Sequence, residues 1–419
     1  MVAHRGIGTT AWLALLLAAP WAPADAGDDA LARANRVLSH TILVDGHNDL
    51  PIAIRGHASA PGDLDAYDLR GTVPGQTDIP RLRAGHVGAQ FWSVYIPGEL
   101  QNGQARMQLE QIDIARRLIA KYPDVFQLVG TAAEVRAAHR AGRIGSLLGM
   151  EGGYGLENSF APLRAYYDLG VRYMTLTHNS HTDWADSAMP ETPKFGGLSP
   201  FGEQVVREMN RLGMLVDLSH TSADTMRDTL DVSKAPVIFS HAAARGLVDI
   251  SRNVPDDVIA RLPANGGVLM VTFVVGFVSA DAANVLFPAM KEFYTSSAQA
   301  ASAGERRALY EEFKKNLVLP RVTVGDVADH IEYVVSLAGI DHVGIGGDFD
   351  GNDLWPEGLS DVSMYPNLFA ELIRRGWSDR DLAKLAGGNV LRAMEQAERV
   401  ARELQRVTPA ANSISRAGT

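Results

Sequence analysis

Eight short apolar runs, separated by longer amphipathic segments, limit the folds open to this chain. The runs are residues 41–45, 89–95, 144–150, 173–177, 214–219, 236–240, 268–273 and 342–347. Helical patterns lie between them, for example at 105–121 and 200–212. Strands that alternate with helices form a parallel sheet with right-handed crossovers, and eight such units close a (β/α)8 TIM-type barrel. An open, doubly wound sheet is the alternative.

Polar residues at the C-terminal ends of the runs favour the barrel. Six of the eight runs lead into a side chain that could bind a metal or move a proton: His47 with Asp49, Glu151, His178, His220, His241 and Asp348. In a barrel these ends share one rim, whereas an open sheet would spread them along a line at ~4.8 Å per strand. We therefore predict an α/β fold with one barrel and one site at its rim.

The connection between the seventh and eighth runs is unusually long. Residues 278–320 form an insertion, within which 287–313 has a helical pattern. We interpret the insertion as a lid or a helical excursion beside the rim. The sequence then divides into a single barrel domain at 27–400 and a polar tail at 401–419.

The first 26 residues have the three zones of an export signal. His4 and Arg5 precede an apolar run at 11–19, and residues 24–26 fit a small-x-small cleavage pattern. The run is shorter than the ~20 residues of a membrane-spanning helix, which argues against the alternative of an anchor. We predict cleavage near Ala26 and a periplasmic or secreted protein. No stable membrane anchor is expected in the mature chain, because its last residues lack the apolar tail of a glycolipid signal.

Composition excludes several chemistries. The chain has no cysteine, so it has no disulfide, no thiolate metal ligand and no cysteine nucleophile. Metal ligands must then be histidine, aspartate or glutamate. The formal net charge is −10, and no lysine or arginine run is long enough to follow a phosphate backbone. We expect no nucleic-acid partner.

Five polar residues form a ligand set for two metal ions. His47 and Asp49 are two apart in extended backbone, so their side chains point the same way. Glu151 precedes two glycines and could bridge two cations, although a helix N-cap or an exposed turn is the alternative. His220 and His241 each directly follow an apolar run. Together they suit two zinc ions that share Glu151 and a bridging hydroxide, although manganese or cobalt would also accept such ligands.

Three further residues are candidates for catalysis and substrate binding. Two metal ions generate a hydroxide nucleophile at neutral pH, and Asp348 could shuttle its proton, with Asp350 as the alternative. His178 could donate a hydrogen bond to the developing oxyanion, although His181 is close in sequence. Arg252 could clamp a substrate carboxylate, and the alternative is an ordinary surface arginine.

The chain resembles the membrane dipeptidase family of dinuclear zinc peptidases from about residue 43 to about residue 395. The resemblance rests on several motifs in one order, which include VDGHNDLP at 44–51, MEGG at 150–153, DLSHTS at 217–222, PVIFSH at 236–241, RNVPD at 252–256 and GGDFDG at 346–351.

The resemblance implies a (β/α)8 barrel in which His47, Asp49 and Glu151 hold one zinc ion. Glu151, His220 and His241 would hold the other. It also implies that His178 faces the scissile carbonyl oxygen, Arg252 the substrate carboxylate, and Asp348 the bridging hydroxide and the substrate amine. Enzymes of this family are typically homodimers, and several accept a D-residue at the second position. The chain departs from the mammalian pattern in its missing cysteines, its missing anchor tail and its longer 278–320 segment.

The sequence therefore predicts a dinuclear zinc dipeptidase that hydrolyses unblocked dipeptides and tolerates a D-residue at the C-terminal position. An alternative is a related metal-dependent barrel amidohydrolase that acts on lactones, N-acyl amino acids or β-lactams. A zinc- or peptide-binding protein without turnover is the non-enzymatic alternative.

Overall fold

The structure is a computed structural model that describes residues 1–2, 26–100, 102–298, 300 and 302–411. The predicted export signal lies almost entirely at residues 3–25, which are outside the described residues. The end of the predicted tail, at 412–419, is also outside them. Within the described ranges, no helix is both long enough and apolar enough to cross a bilayer.

Parallel strands form a closed barrel at the centre of the described chain. The strands are β1 Leu43–Asn48, β2 Val87–Ser93, β3 Phe126–Leu128, β4 Ile144–Glu151, β5 Val171–Thr175, β6 Leu215–Asp217, β7 Val237–Ala242, β8 Val268–Val271 and β9 Val343–Ile345. The sheet order is β2-β1-β9-β8-β7-β6-β5-β4-β3, and an additional β2–β4 pairing closes the ring. The predicted eight-stranded barrel is confirmed.

One strand of the described chain was not predicted. β3 pairs with β4 at Ile144–Ser146, whereas β5 pairs with β4 further along, from Leu148. The strand therefore lies beside the ring and is not a member of it. It has three residues, too few to produce a recognisable alternation in sequence.

Helices connect the strands. They are α1 Ala26–Ser39, α2 Leu50–Arg55, α3 Ile79–Ala84, α4 Gln104–Lys121, α5 Ala132–Arg140, α6 Phe160–Asp168, α7 Pro200–Leu212, α8 Ala223–Val232, α9 Asp256–Ile259, α10 Leu262–Asn265, α11 Val275–Val278, α12 Ala280–Ser297, α13 Ala303–Asn316, α14 Val324–Ala338, α15 Tyr365–Arg374, α16 Asp379–Ala383 and α17 Asn389–Val407. Short 3-10 helices lie at Gly153–Leu156, Ile340–His342 and Val362–Met364, and a short π-helix lies at Lys384–Gly388.

Local chemistry sets the ends of these helices. The Ser199 side chain accepts a hydrogen bond from the Gly202 amide, and Pro200 occupies the first turn of α7. The same helix ends at Gly213, whose φ of 84° lies in the left-handed region that glycine adopts without strain. These signals explain why the predicted range of 200–212 was correct.

The insertion contains two long helices where the sequence pattern predicted one helical stretch at 287–313. α12 ends at Ser297 and α13 begins after Ser302, whose side chain caps it by accepting from the Glu305 amide. The cap starts a second helix a few residues after the first has ended, which a count of apolar residues does not reveal. α17 likewise continues to Val407 with Ala401 buried, and so extends into the predicted tail.

Two glycines allow three strand ends to approach one another inside the barrel. A Cβ atom at Gly46 or at Gly346 would collide with the carbonyl oxygen of Ser240. Gly46 directly precedes His47, Ser240 directly precedes His241, and Gly346 lies two residues before Asp348. The bare backbone at these glycines therefore brings three predicted site residues together.

We predict that Gly346→Ala destabilises the protein. The new methyl group must displace backbone, so we expect the free energy of unfolding to fall by about 1–3 kcal/mol. Thermal unfolding followed by circular dichroism measures the effect. Gly71→Ala is the control, because a Cβ there has no atom closer than 3.8 Å. Equal unfolding midpoints for the two variants would contradict the prediction.

Candidate active site

The eight predicted site residues converge at the C-terminal rim of the barrel. β1 carries His47, β4 ends at Glu151 and β7 carries His241. The other five lie on the segments that follow strand ends: Asp49, His178, His220, Arg252 and Asp348. The rim of a (β/α)8 barrel is where enzymes of this fold place their active sites.

Glu151 lies at the centre of the site, and its two carboxylate oxygens face different partners. Oε1 lies 3.2 Å from His220 Nε2 and 3.4 Å from His241 Nε2. Oε2 lies 3.5 Å from His47 Nε2, which in turn lies 3.3 Å from Asp49 Oδ2. One carboxylate therefore joins two groups of potential metal ligands.

Hydrogen bonds on the far side of two imidazoles orient their lone pairs toward Glu151. His220 Nδ1 lies 3.1 Å from the amide oxygen of Asn179, which can only accept. His241 Nδ1 lies 2.8 Å from Ser240 Oγ, whose own proton goes to Asp217. Both Nδ1 atoms must then carry the proton, and both Nε2 atoms present a lone pair.

Unpartnered atoms show that these residues fit a metal centre. His47 Nε2 and Asp49 Oδ1 are buried, and no described residue forms a hydrogen bond with either. His220 Nε2 and His241 Nε2 lie only 2.9 Å apart, both as acceptors. Buried lone pairs that face one another are unfavourable unless a cation lies between them. Three groups in the described chain bring their ligand atoms within 4.8 Å of one another, and together they include His178 and Asp348 besides the five predicted ligands.

The electrostatics of the site also favour a bound cation. Burial alone would raise the pKa of the Glu151 carboxyl, but His47 and His178 hold it well below its usual range. Burial lowers the pKa values of His220 and His241 well below their usual range, so both imidazoles are neutral. Neutral imidazoles at His220 and His241 beside an ionised carboxylate are the protonation states that metal binding requires. Burial lowers the pKa of His47, but Tyr173, Glu151 and Asp49 together raise it well above its usual range, as expected for an imidazole among acidic groups.

Asp348 and His220 both have strained backbones. Their φ values of 65° and 64° lie in the left-handed region, which costs a non-glycine residue about 1–3 kcal/mol. The Asp348 amide donates to the carbonyl oxygen of His47, at 3.2 Å. Burial raises the pKa of the Asp348 carboxyl well above its usual range. Such a carboxyl is suited to carry a proton.

Asp350, the alternative to Asp348, lines the same cavity but has a different hydrogen-bond partner. Its Oδ1 accepts from the Gln76 amide at 2.8 Å, on a segment outside the barrel strands. Asp348 Oδ1 instead lies 4.0 Å from His47 Nε2. The geometry therefore favours Asp348 for any proton transfer at the centre of the site.

His178 and His181 contact different parts of the molecule. His178 Nε2 lies 3.7 Å from Glu151 Oε1, and the Tyr154 hydroxyl accepts a hydrogen bond from the His178 amide at 2.8 Å. The His181 ring instead accepts from the Ser187 amide at Nδ1 and contacts the Thr192 carbonyl at Nε2. His181 therefore holds its own loop together, and His178 faces the site.

Arg252 is buried, so the alternative of a surface arginine is wrong. Its side chain is 1% exposed, and its Nη2 donates to the His241 carbonyl oxygen at 2.8 Å. Its Nε and Nη1 atoms have no hydrogen-bond partner among the described residues. Burial lowers its pKa to about 10, so it keeps its charge at neutral pH. A buried guanidinium with two unpartnered donor atoms has the chemistry that an anion would complement.

Two buried aspartates that the sequence analysis did not select hold the ligand-bearing strand ends together. Asp217 accepts from the Ser219 and Ser240 amides, at 3.1 and 2.7 Å, and so joins the residues before His220 and His241. Asp45 accepts from the His47 amide at 2.8 Å and from the Gly347 amide at 3.3 Å. Each lies inside an apolar run two or three residues before a predicted ligand, and that position was the available signal.

A cavity of about 1000 Å³ opens above the site. Its floor lies at the barrel rim, where the charged and imidazole groups that line the cavity include Asp49, Glu151, His178, His220, Arg252, Asp348 and Asp350. Its volume is at the upper end of the range for small-molecule sites.

Comparison with known proteins identifies the family. The family model described as membrane dipeptidase, peptidase family M19, matches residues 31–408. The chain belongs to the membrane dipeptidase family. The resemblance stated from the sequence motifs is thereby confirmed, and it places the chain among the metallo-dipeptidases.

Individual relatives agree with this assignment. Dipeptidase 3 of Mus musculus is 42% identical over 363 residues, which are 85% of this chain and 65% of that protein. The match thus spans slightly less than two thirds of the mouse relative. Dipeptidase verJ of Clonostachys rogersoniana is 40% identical over 389 residues, 90% of each chain. Among solved structures, the probable dipeptidase PvdM from Pseudomonas aeruginosa has a TM-score of 0.76 and 26% identity, and the match covers 89% of this chain and all of that one.

We predict that Asp217→Asn weakens metal binding without removing a predicted ligand. The amide replaces one acceptor oxygen with a donor that faces Ser240 and Thr175, whose hydroxyls both donate to Asp217. Loss of such a supporting residue typically weakens metal affinity about 10- to 100-fold. Competition with a chromophoric zinc chelator measures the affinity, and Asp113→Asn, at an exposed carboxylate, is the control. Equal affinities would show that Asp217 does not position the ligands.

Proposed function

We propose that the chain is a dinuclear zinc dipeptidase that hydrolyses unblocked dipeptides. One observation carries the proposal: a single cavity contains both Glu151, shared between two ligand groups, and Arg252, a buried cation with two free donors. The first suits activation of water and the second suits a substrate carboxylate. A dipeptide places its C-terminal carboxylate only one residue from the scissile bond.

In the proposed site, His47, Asp49 and Glu151 would hold one zinc ion, and Glu151, His220 and His241 would hold the other. When bound, two zinc ions supply a reactive hydroxide near neutral pH and stabilise negative charge on a carbonyl oxygen. The ligand set supports zinc by its mixture of imidazole and carboxylate, and manganese or cobalt would be accepted by the same atoms.

The other residues of the chain bind and orient the dipeptide. Arg252 pairs with the C-terminal carboxylate through its free donors, which offsets its own buried charge. His178 donates a hydrogen bond to the carbonyl oxygen as negative charge develops there. Asp348 interacts with the free N-terminal amine of the dipeptide. It also takes the proton that the attacking water loses and passes it to the amine of the departing second residue as the C–N bond breaks.

The alternative substrates lack one or both of the groups that Arg252 and Asp348 would bind, which are the carboxylate and the free amine of a dipeptide. An N-acyl amino acid has the carboxylate but no free amine, so it would lose the contact with Asp348. A simple lactone has neither group. Glu151 also occupies the central position where the related barrel hydrolases often use a modified lysine. These differences favour the dipeptide.

Three finer proposals rest on the sequence motifs and the family. We propose tolerance of a D-residue at the C-terminal position, export with signal cleavage near Ala26, and a homodimer. Comparison of L-Ala-L-Ala with L-Ala-D-Ala tests the first. N-terminal sequencing of protein recovered outside the cytoplasm tests the second, and light scattering of the purified protein tests the third.

We predict that zinc-loaded protein cleaves free dipeptides but not tripeptides, N-acetyl dipeptides or dipeptide amides. Arg252→Gln should lower kcat/KM for a free dipeptide roughly 30-fold or more, because a buried charge partner is lost. Metal content measured on the same sample is the control, since Arg252 is not a proposed ligand. Rapid tripeptide cleavage would remove the role of Arg252, and failure to cleave any dipeptide would remove the proposal.

A further inference from the structure

The insertion forms an apolar wall on one side of the active-site cavity. α12 lines the cavity with residues spaced three or four apart, so that one face of the helix is presented to it. These residues are Leu286, Phe287, Met290, Lys291, Tyr294 and Thr295. α13 adds Tyr310. The wall is therefore built by the segment that distinguishes this chain from the mammalian pattern.

Aromatic packing holds the two helices of the insertion together. The Phe293 ring lies 5.5 Å from the Tyr310 ring and 5.1 Å from the Phe313 ring, measured between centroids. Two exposed ion pairs tie the insertion to the rim: Lys291 to Glu191 at 3.4 Å, and Lys314 to Asp353 at 3.1 Å. Exposed pairs contribute little stability, so the wall depends mainly on its apolar contacts.

The wall begins next to Arg252. The Phe277 ring lies 5.1 Å from the Arg252 guanidinium carbon, and the Phe287 ring stacks on Phe277 at 6.2 Å. The α-carbon that carries the C-terminal carboxylate of a dipeptide also carries the side chain of that residue. A carboxylate bound at Arg252 therefore places this side chain close to Phe277 and Phe287.

The polarity of the cavity surfaces determines which of them an apolar side chain at this position would contact. The cavity floor presents ionised or polar groups, including Glu151 and Asp348, against which an apolar side chain would gain nothing. The wall presents Phe287 and Met290, both only partly buried in the absence of a ligand. An apolar side chain that covers them removes apolar surface from water on both partners.

We infer that the insertion selects dipeptides whose C-terminal residue has a large apolar or aromatic side chain, with Phe287 and Met290 as the specificity-determining contacts. This inference rests on the proposed dipeptidase function and on the binding of the carboxylate by Arg252. The volume of the cavity supports it, since two small residues would leave much of that space unfilled.

The test is the ratio of kcat/KM for Ala-Phe to kcat/KM for Ala-Gly. Both stereoisomers of the phenylalanine are used, and glycine has no stereochemistry to confuse the comparison. The wild type should prefer Ala-Phe, and Phe287→Ala should lower the ratio about tenfold. Met290→Ala should lower it in the same direction. Val285→Ala, at an exposed position on the same helix that does not line the cavity, is the matched control and should keep the ratio.

The outcomes are distinguishable. A wild type that prefers Ala-Gly, or a Phe287→Ala variant with an unchanged ratio, overturns the inference and leaves the proposed function standing. Equal losses on both substrates would indicate a structural role for Phe287 and would also overturn the inference. A wild type that cleaves neither dipeptide overturns the proposed function and the inference with it.

Discussion

The buried carboxylate of Glu151 is the constraint on which the rest of the site depends. It sits inside the barrel rim with imidazole nitrogens within 3.2 to 3.7 Å on several sides. A buried negative charge is costly unless positive charge surrounds it, and His220 and His241, which burial keeps neutral, cannot supply that charge. Cations between Glu151 and the histidines would balance the carboxylate charge and accept the imidazole lone pairs. The arrangement is therefore best explained as a metal centre.

The barrel keeps these groups in place by joining neighbouring strand ends. Asp217 links the ends of β6 and β7, and Asp45 links the ends of β1 and β9. Backbone strain at His220 and Asp348 persists because these surrounding contacts hold the turns in one conformation. In the proposed function, substrate recognition would be added from outside the strands, by Arg252 after β7 and by the insertion after β8.

Much of this could be predicted from the sequence because strand ends and site residues coincide. Buried parallel strands are continuous apolar runs, and a polar residue directly after such a run must lie at one rim of a barrel. The two-helix form of the insertion could not be predicted, because the break between the helices is short and only the capping serine at the start of the second helix marks it. Asp45 and Asp217 were missed because their position inside an apolar run marks them as unusual but does not show which donors they meet, and some of those donors lie on another segment.

Anomalous diffraction at the zinc edge, from crystals of zinc-loaded protein, tests the dinuclear centre directly. Two peaks should appear inside the cavity with Glu151 between them, one beside His47 and Asp49 and the other beside His220 and His241. A single peak, or peaks away from Glu151, would contradict a centre shared through Glu151.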